Sequence, residues 1–370
     1  YLLGNYRIEN ILPGGSEDMI DVSGAPNKKL RWEKTHSVNA GFDFAVLNQA
    51  INLSVDYYYR KGVDLIGTQM LPLETGFEML TVNWASMQNQ GVEVALSTRN
   101  IHTKNFMWTT NFNFAYNNNK ILKEALREDA LEPGREGYPV GALFALKTAG
   151  LDEEGYPMFE GKDGKAVSAM EFFKLQEWGF GATDLTARER RELYTYVGTA
   201  DCPYTGGFNN TFTYKAFELG VNFSFDFGGK VRSQPTYSIV DFDKGRNTNR
   251  DILNRWTPEN TETIFPVLLS QNERLDEYMW YSNQNEIYRN LDIWIRDLNY
   301  VRLQNIRLGY TLPTNFSRKL GMTSATIAIE GRNLLVFGSS YKNYLDPETM
   351  SNAYATPAPK SVTLSLNLNF

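Results

Sequence analysis

The chain has 370 residues, of which 22% are charged and 14% aromatic, and a mean hydropathy of -0.41. Its net charge of -6 argues against a nucleic-acid partner, because phosphate binding needs clustered basic residues. One cysteine excludes an internal disulfide framework and a multi-cysteine metal site. No run of about eighteen apolar residues is present, so no membrane-spanning helix is predicted.

The first predicted strands form a hairpin. In residues 38–46 and 51–60 apolar and polar side chains alternate, so each segment has one apolar face when extended. Asn48-Gln49 makes a minimal connection between them, as in a tight hairpin. The apolar phase changes near Gln304-Asn305, which predicts a bulge in a later strand. The same alternation predicts further strands at 91–98, 108–117, 208–214, 217–227, 298–312 and 325–336.

Two helices are predicted between the fourth and fifth strands, at 120–128 and 186–197. The second begins with Thr186-Ala-Arg-Glu189, which has the spacing of a capping box. Asp163-Gly164 follows the carboxylates at 152–154, and such oxygen ligands suit calcium. The segment lacks the register of an EF-hand and is also an ordinary turn sequence, so no metal site is predicted.

The last strand, 360–370, has the most regular pattern in the chain. Val362, Leu364, Leu366, Leu368 and Phe370 share one face, and hydroxyl and amide side chains share the other. A tilted membrane-spanning β-strand needs this length and this pattern. The last strand of a soluble sandwich is the alternative for this segment alone.

Connection lengths favour the membrane alternative. The nine predicted strands are joined by connections that alternate between short and long, as in outer-membrane barrels. Every backbone polar group inside a bilayer needs a partner, so the sheet must close. Nine strands do not close in the usual even-numbered way, and we expect further strands before Tyr1. The short connections are 48–50, 99–105, 215–216 and 313–323, and the long, extracellular ones are about 61–90, 118–205, 229–296 and 337–359.

Several stretches resemble the SusC/RagA-like TonB-dependent transporters of Bacteroidota outer membranes. Two of them are Leu30-Arg-Trp-Glu-Lys-Thr35 and Tyr300-Val-Arg-Leu-Gln-Asn-Ile-Arg-Leu-Gly-Tyr-Thr-Leu-Pro313. The others lie, in the family's order, at 39–44, 55–65, 87–94, 150–157, 203–212 and 331–335.

The resemblance implies an all-β fold, a transmembrane antiparallel β-barrel of about 22 strands, of which this chain supplies the carboxy-terminal 9–10 as one segment, 1–370. It also implies an amino-terminal plug outside this chain, a SusD-like surface lipoprotein over the mouth, and coupling to the TonB–ExbB–ExbD motor. The implied location is the outer membrane, in contact with its lipid. The implied activity is import of an oligosaccharide or oligopeptide without a cofactor.

Candidate site residues fall in two places. Aromatic residues in the connection 229–296 are predicted to contact substrate; the alternative is that they pack that connection or face the lipoprotein. Inward-facing polar residues on strands are predicted to line the lumen or face the plug. The former are Trp256, Tyr278, Trp280 and Tyr281, and the latter are Asn111, Asn113, Asn222 and Asp226. By the resemblance, the terminal Phe370 is the signal for barrel assembly.

Two other function classes stay open. A barrel hydrolase would need a histidine with serine or carboxylate partners near the rim, and the chain has only His36 and His102. His102 lies at the short-connection end, so no catalytic residue is predicted. A surface adhesin built of β-sandwiches would purify without detergent.

Overall fold

The protein is described by a computed structural model over residues 4–12, 15–22, 25–77, 79–126, 128–161, 163–176, 183–233, 245, 250–267, 290–338, 346–349 and 355–370. Strands dominate these residues, and the helices are short. None of the helices in the described ranges has the length and apolar composition needed to cross a membrane.

The strands, in chain order, are β1 (Gly4–Leu12), β2 (Gly15–Val22), β3 (Lys34–Val46), β4 (Ile51–Met70), β5 (Met79–His102), β6 (Phe106–Lys123), β7 (Ala142–Leu146), β8 (Thr148–Leu151), β9 (Pro157–Glu160), β10 (Ala166–Val167), β11 (Tyr194–Thr199), β12 (Tyr204–Tyr214), β13 (Phe217–Arg232), β14 (Ile295–Thr311), β15 (Ser324–Phe337) and β16 (Ser361–Asn369). The helices are α1 (Ala169–Phe172), α2 (Ala187–Glu192) and α3 (Thr314–Lys319). Short 3₁₀ helices lie at Leu73–Thr75, Arg250–Asn254 and Asp292–Trp294.

Nine strands form one sheet in the order β3-β4-β5-β6-β12-β13-β14-β15-β16. Neighbours in this sheet follow one another in the chain except at β6 and β12, between which the small strands β7–β11 are inserted. The registers of the pairs from β6 to β16 are all antiparallel. The nine predicted strands all lie in this one sheet, and the predicted antiparallel pairing is confirmed for β6 to β16.

The chain divides into two compact units. The first, 1–39, 58–90 and 118–140, contains the β1–β2 hairpin. Within it the side chain of Asn83 makes the two hydrogen bonds that a neighbouring backbone would otherwise make to Arg31. It accepts from Arg31 N at 2.8 Å and donates to Arg31 O at 2.8 Å. The Arg31 guanidinium is 2.5 Å from Asp64, so the extended segment before β3 is held by side chains.

The second unit, 40–57, 91–117 and 141–370, shows how alternation divides the sheet into two faces. Phe208 aligns with Phe112 and Phe223, while Asn209 in the next register aligns with Asn111 and Asn222. The Phe208 and Phe223 rings stack with centroids 5.4 Å apart. One face is therefore apolar and largely exposed, and the other carries amides and hydroxyls.

The bulge predicted near Gln304-Asn305 is confirmed. The β13–β14 register shifts between Asn222 and Phe223, and the β14–β15 register shifts between Leu303 and Asn305. An extra residue at this point returns the apolar side chains to the outer face, which explains the change of phase in the sequence.

The predicted helix at 120–128 is wrong. Strand β6 continues to Lys123, and Ile121 exchanges backbone hydrogen bonds with residues 137 and 138, each 2.9 Å long. Pairing between distant segments overrides local helix propensity here. The second predicted helix is confirmed at its start, because Thr186 and Glu189 form the capping box, but α2 ends at Glu192 and residues 194–199 form β11.

The predicted long connection 61–90 is largely wrong as well. Strand β4 runs to Met70 and β5 begins at Met79. Asp64 takes a left-handed backbone conformation, with φ of 58°, in the middle of β4. Such a residue interrupts the alternation of side chains and hides the continuing strand from a search for period two.

The inserted strands form a small subdomain with its own core. Buried Leu146, Phe159, Phe173, Leu291 and Trp294 pack together. The described residues of 142–199, 250–267 and 290–294 that surround this core are called the loop subdomain below. Its core combines residues from the connection between β6 and β12 with residues from the connection between β13 and β14.

Candidate functional site

A row of asparagines crosses the polar face of the sheet. Asn209 aligns with Asn111 on one side and Asn222 on the other, and Asn222 aligns with Asn305. The Asn222 side chain donates to Asn305 Oδ1 at 3.0 Å. Asn113 lies two residues further along β6, opposite Gly207. Four neighbouring strands therefore present carboxamides at one level.

A concavity of about 730 Å³ lies over this row. Its walls come from β3–β6 and β12–β14, and all belong to the second unit. Asp43 is the only ionisable residue among the described residues that line it. Amide side chains offer both donors and acceptors, so this surface suits neutral, hydrogen-bonding groups. The other polar lining residues are Asn52, Ser54, Ser97, Asn111, Asn113, Asn209, Asn222 and Gln304.

Asp226 lies apart from the concavity, in a network of charged and phenolic groups. The hydroxyl of Tyr300 donates to Asp226 Oδ2 at 2.5 Å and is 3.3 Å from Glu348. Arg302 donates through Nε to Glu348 at 2.8 Å and through Nη2 to Asp346. Arg302 is 1% exposed and Asp346 is 8% exposed, so this is a buried ion pair.

The ionised form of Asp346 is stabilised by its surroundings. Burial opposes ionisation, but the hydrogen bond from Arg302 and those from the backbone N–H groups of Glu348 and Ala358 outweigh it. The pKa of Asp346 is therefore below its ordinary value. The carboxylate stays charged and keeps its partners near neutral pH.

Trp256 packs the loop subdomain. Its backbone N–H donates to Phe265 O at 3.0 Å, and its indole ring covers Gly155, at which a Cβ would lie 2.5 Å from the ring. Its backbone thus pairs within its own connection, whereas its ring packs against the connection between β6 and β12. Substrate contact stays a prediction. Tyr278, Trp280 and Tyr281 lie outside the described residues.

Phe370 follows the last residue of β16 and is 85% exposed. The end of the strand is fixed, because Asn369 O accepts from Thr323 N at 2.7 Å and the Asn369 side chain donates to Ser324 at 2.7 Å. The exposed ring thus projects from a fixed strand end. Its role as an assembly signal stays a prediction.

Features typical of metal or catalytic sites are scarce in the described part of the chain. It holds no group of three or more His, Cys, Asp or Glu that could bind a metal ion. Asp152 Oδ1 accepts from the backbone N–H groups of Glu154 and Tyr156, and Asp163 pairs with Lys165, so the two carboxylate segments form local turns. His36 lies on β3 and His102 ends β5.

Sequence reasoning missed the Arg302 network. Arg302 lies within the motif at 300–313, and on β14 it stands opposite Ser224 on the polar face. A charged residue at an inward position of a membrane strand is a signal for a partner. Asp346, in a connection far along the chain, could not be assigned to it without the fold.

The comparisons with known proteins agree with this fold. The family described as TonB dependent receptor-like, beta-barrel, matches residues 9–143. TonB-dependent receptor P3 of Formosa agariphila is 28% identical over 374 residues, covering 93% of this chain and 35% of that protein. TonB-dependent receptor SusC of Bacteroides thetaiotaomicron is 26% identical over 368 residues, covering 93% of this chain and 32% of that protein. The chain therefore spans about a third of the length of these relatives.

Among solved structures, the RagAB peptide transporter superposes with a TM-score of 0.74 at 22% identity, covering 100% of this chain and 39% of that chain. RagAB in the 'closed-closed' state gives a TM-score of 0.72. These values show a shared fold. The predicted resemblance and the predicted all-β, antiparallel barrel class are confirmed.

Proposed function

We propose that this chain, which carries the barrel fold of TonB-dependent receptors related to SusC, is part of an active importer in the outer membrane. Its cargo is a bulky nutrient, an oligosaccharide or an oligopeptide. The observation that carries this proposal is one antiparallel sheet with an apolar, exposed face and a second face of neutral amides around a concavity of about 730 Å³. Such a sheet is suited to lipid on one side and to polar cargo or a plug on the other.

In this proposal the chain binds its cargo and lets it pass without covalent chemistry. Apolar side chains such as Phe208 and Phe223 contact lipid, while Asn111 and Asn222 face the lumen or a plug. Neutral hydrogen-bonding groups contribute only modest net free energy each, about 1 kcal/mol, because water competes for them. Cargo held in this way can be released again, as an importer requires.

We infer the partners from the similarity to SusC and to the RagAB fold. A SusD-like surface lipoprotein would cover the mouth, and the TonB–ExbB–ExbD motor would act through an amino-terminal part of the whole protein. In this arrangement 1–370 is one segment of the barrel, and its long connections at about 118–205, 229–296 and 337–359 are extracellular. The similarity to SusC and to the RagAB fold supports these partners.

The cargo class is tested by growth. The full-length gene is deleted, and growth is measured on single oligosaccharides and single oligopeptides, with the gene restored on a plasmid as control. We expect growth to fail on one class and to return on restoration. Unchanged growth on every cargo of both classes would overturn the proposal.

The location is tested separately by membrane fractionation. We expect the full-length protein in the outer-membrane fraction and, after detergent phase separation, in the detergent phase. Recovery of the intact protein in the aqueous phase would instead favour the surface adhesin.

A further inference from the structure

Asp346 joins two parts of the last long connection. Its Oδ1 accepts from Glu348 N at 3.0 Å and its Oδ2 from Ala358 N at 3.2 Å, while its carbonyl accepts from Thr349 N at 2.9 Å. Pro347 beside it is buried. One carboxylate therefore organises residues 346–349 and also reaches the chain shortly before β16.

The other side of this contact is the polar face of the sheet. Arg302 aligns with Ser224, and Tyr300 two residues away aligns with Asp226, so both belong to the face that carries the asparagine row. Arg302 contacts Asp346 and Glu348 through different nitrogens. A guanidinium that bonds two carboxylates at once fixes their positions more strictly than a lysine could.

Because Arg302 is buried, its charge needs the contact with residues 346–349. Arg302 is 1% exposed, and a buried charge is tolerated only when it is paired and hydrogen-bonded. If residues 346–349 moved away, Arg302 would lose its two carboxylate partners inside the protein. The sheet and the connection therefore hold each other in one arrangement.

We propose that Arg302 is the positioning residue of the last long connection and holds residues 346–349 against the polar face of β13 and β14. The held segment lies on the same face as the amide row, so it limits the space available to cargo near Asp226 and Tyr300. The positioning role stands on the contacts alone, whereas its effect on cargo rests on the proposed function.

Hydrogen exchange of the intact protein in detergent tests the positioning role. In Arg302→Met we expect the amides of Glu348, Thr349 and Ala358 to exchange at least about tenfold faster. Removing one partner of a buried ion pair leaves the charge of the other partner buried and unpaired. The matched control is Arg307→Met. Arg307 lies on the same strand and pairs with Glu218 at 3.0 Å, but this pair is exposed and joins two strands.

Unchanged exchange of these amides in assembled Arg302→Met would overturn the proposal, as would equal acceleration in Arg307→Met. Should Arg302→Met fail to assemble, Asp346→Asn decides in its place, because it keeps the side-chain volume and removes the charge. The exchange rates of Arg302→Lys are expected to lie between those of wild type and Arg302→Met. Lysine keeps the positive charge but lacks the planar guanidinium that bonds two carboxylates.

Uptake by the full-length protein tests the consequence for cargo. We expect Arg302→Met to change the uptake rate and Arg307→Met to leave it unchanged. A change of uptake without faster exchange would count against the positioning role. Absence of uptake by wild type would overturn the proposed function, while the exchange result would still decide the positioning role.

Discussion

Single residues set the tightest constraints in the loop subdomain. Gly155 has a left-handed backbone, with φ of 87°, and the Trp256 ring lies directly over it. Gly155 O also accepts from Val267 N at 2.9 Å. The turn at 152–155 and the segment around Trp256 are therefore fitted to each other at one glycine.

This fit predicts that substitution by alanine destabilises the protein more at Gly155 than at Gly164. Alanine in a left-handed conformation costs about 1–2 kcal/mol, and crowding a packed site adds about 1–3 kcal/mol. Gly164, with φ of 77° and nothing within 4 Å of an added Cβ, has the first cost only. We expect hydrogen exchange in 152–157 to accelerate more in Gly155→Ala than exchange around 164 does in Gly164→Ala. Equal acceleration would contradict the packing of Trp256 on Gly155.

The buried carboxylate predicts a pH dependence. The pKa of Asp346 is lowered in the folded protein, so its contribution is fully present above the unfolded value of about 3.9 and is lost as pH falls through the folded value. Pepsin cleavage within 338–360 should therefore increase as pH falls from about 5 to about 2.

The reference for this experiment is Asp346→Asn/Glu348→Gln, which removes both carboxylates that bond Arg302. Pepsin should already cleave this double variant fast at the upper end of the pH range. The cleavage rate should change with pH only as the activity of pepsin itself changes. A wild-type profile parallel to this reference would exclude a role for these carboxylates.

At the scale of elements, strand β13 shows how one step along the chain separates the polar face of the sheet from the apolar face. Asn222 bonds Asn305 on the polar face, whereas Phe223 stacks on Phe208 on the apolar face. Neighbouring positions therefore have opposite environments. The difference between the two environments can be measured by making the same substitution at Asn222 and at Phe223.

Lysine at the lipid face of a barrel costs about 2–4 kcal/mol near the bilayer centre, while lumen positions tolerate polar residues. We expect Phe223→Lys to lower the amount of folded protein strongly and Asn222→Lys to leave it close to wild type. Gel mobility of unheated membrane samples reports the folded fraction. Equal loss in both variants would argue that the two faces are not lipid and water.

The elements also show what sequence could and could not provide. Alternation predicted the nine strands because each has one apolar face, and the shift of register at Asn305 left a visible change of phase. The extension of β4 was missed because Asp64 breaks the alternation. The helix predicted at 120–128 failed because the partner of Ile121 lies beyond a turn, at 137–138.

At the scale of the whole molecule, the last strand, β16, forms one edge of the nine-stranded sheet. Its outward side chains, Leu364 and Leu366 among them, are 76% and 60% exposed, and the chain ends on Phe370. Fold class and the resemblance to a family were readable from the sequence because they depend on periodicity and on motifs in order. The contacts of Arg302 and Trp256 depend on residues far apart in the chain and needed the structure.

Barrel assembly tests the proposed role of the terminal residue. We expect Phe370→Ser to lower the assembled fraction severalfold, because the exposed aromatic ring is available for recognition before closure. The control is Leu253→Ser, a substitution of a 69% exposed residue in the long connection before β14. Equal amounts of assembled protein in outer membranes would remove Phe370 as a signal.

The loop subdomain draws its core from two separate connections. Leu146 N donates to Asn290 O at 2.8 Å, and Thr148 donates through its hydroxyl to Asp292 at 2.5 Å, so the two connections are also joined by hydrogen bonds. A change of volume at Phe159 must be accommodated by residues near Trp294, which lies more than a hundred positions later. A substitution that changes the core of one connection therefore has to be matched by a compensating substitution in the other.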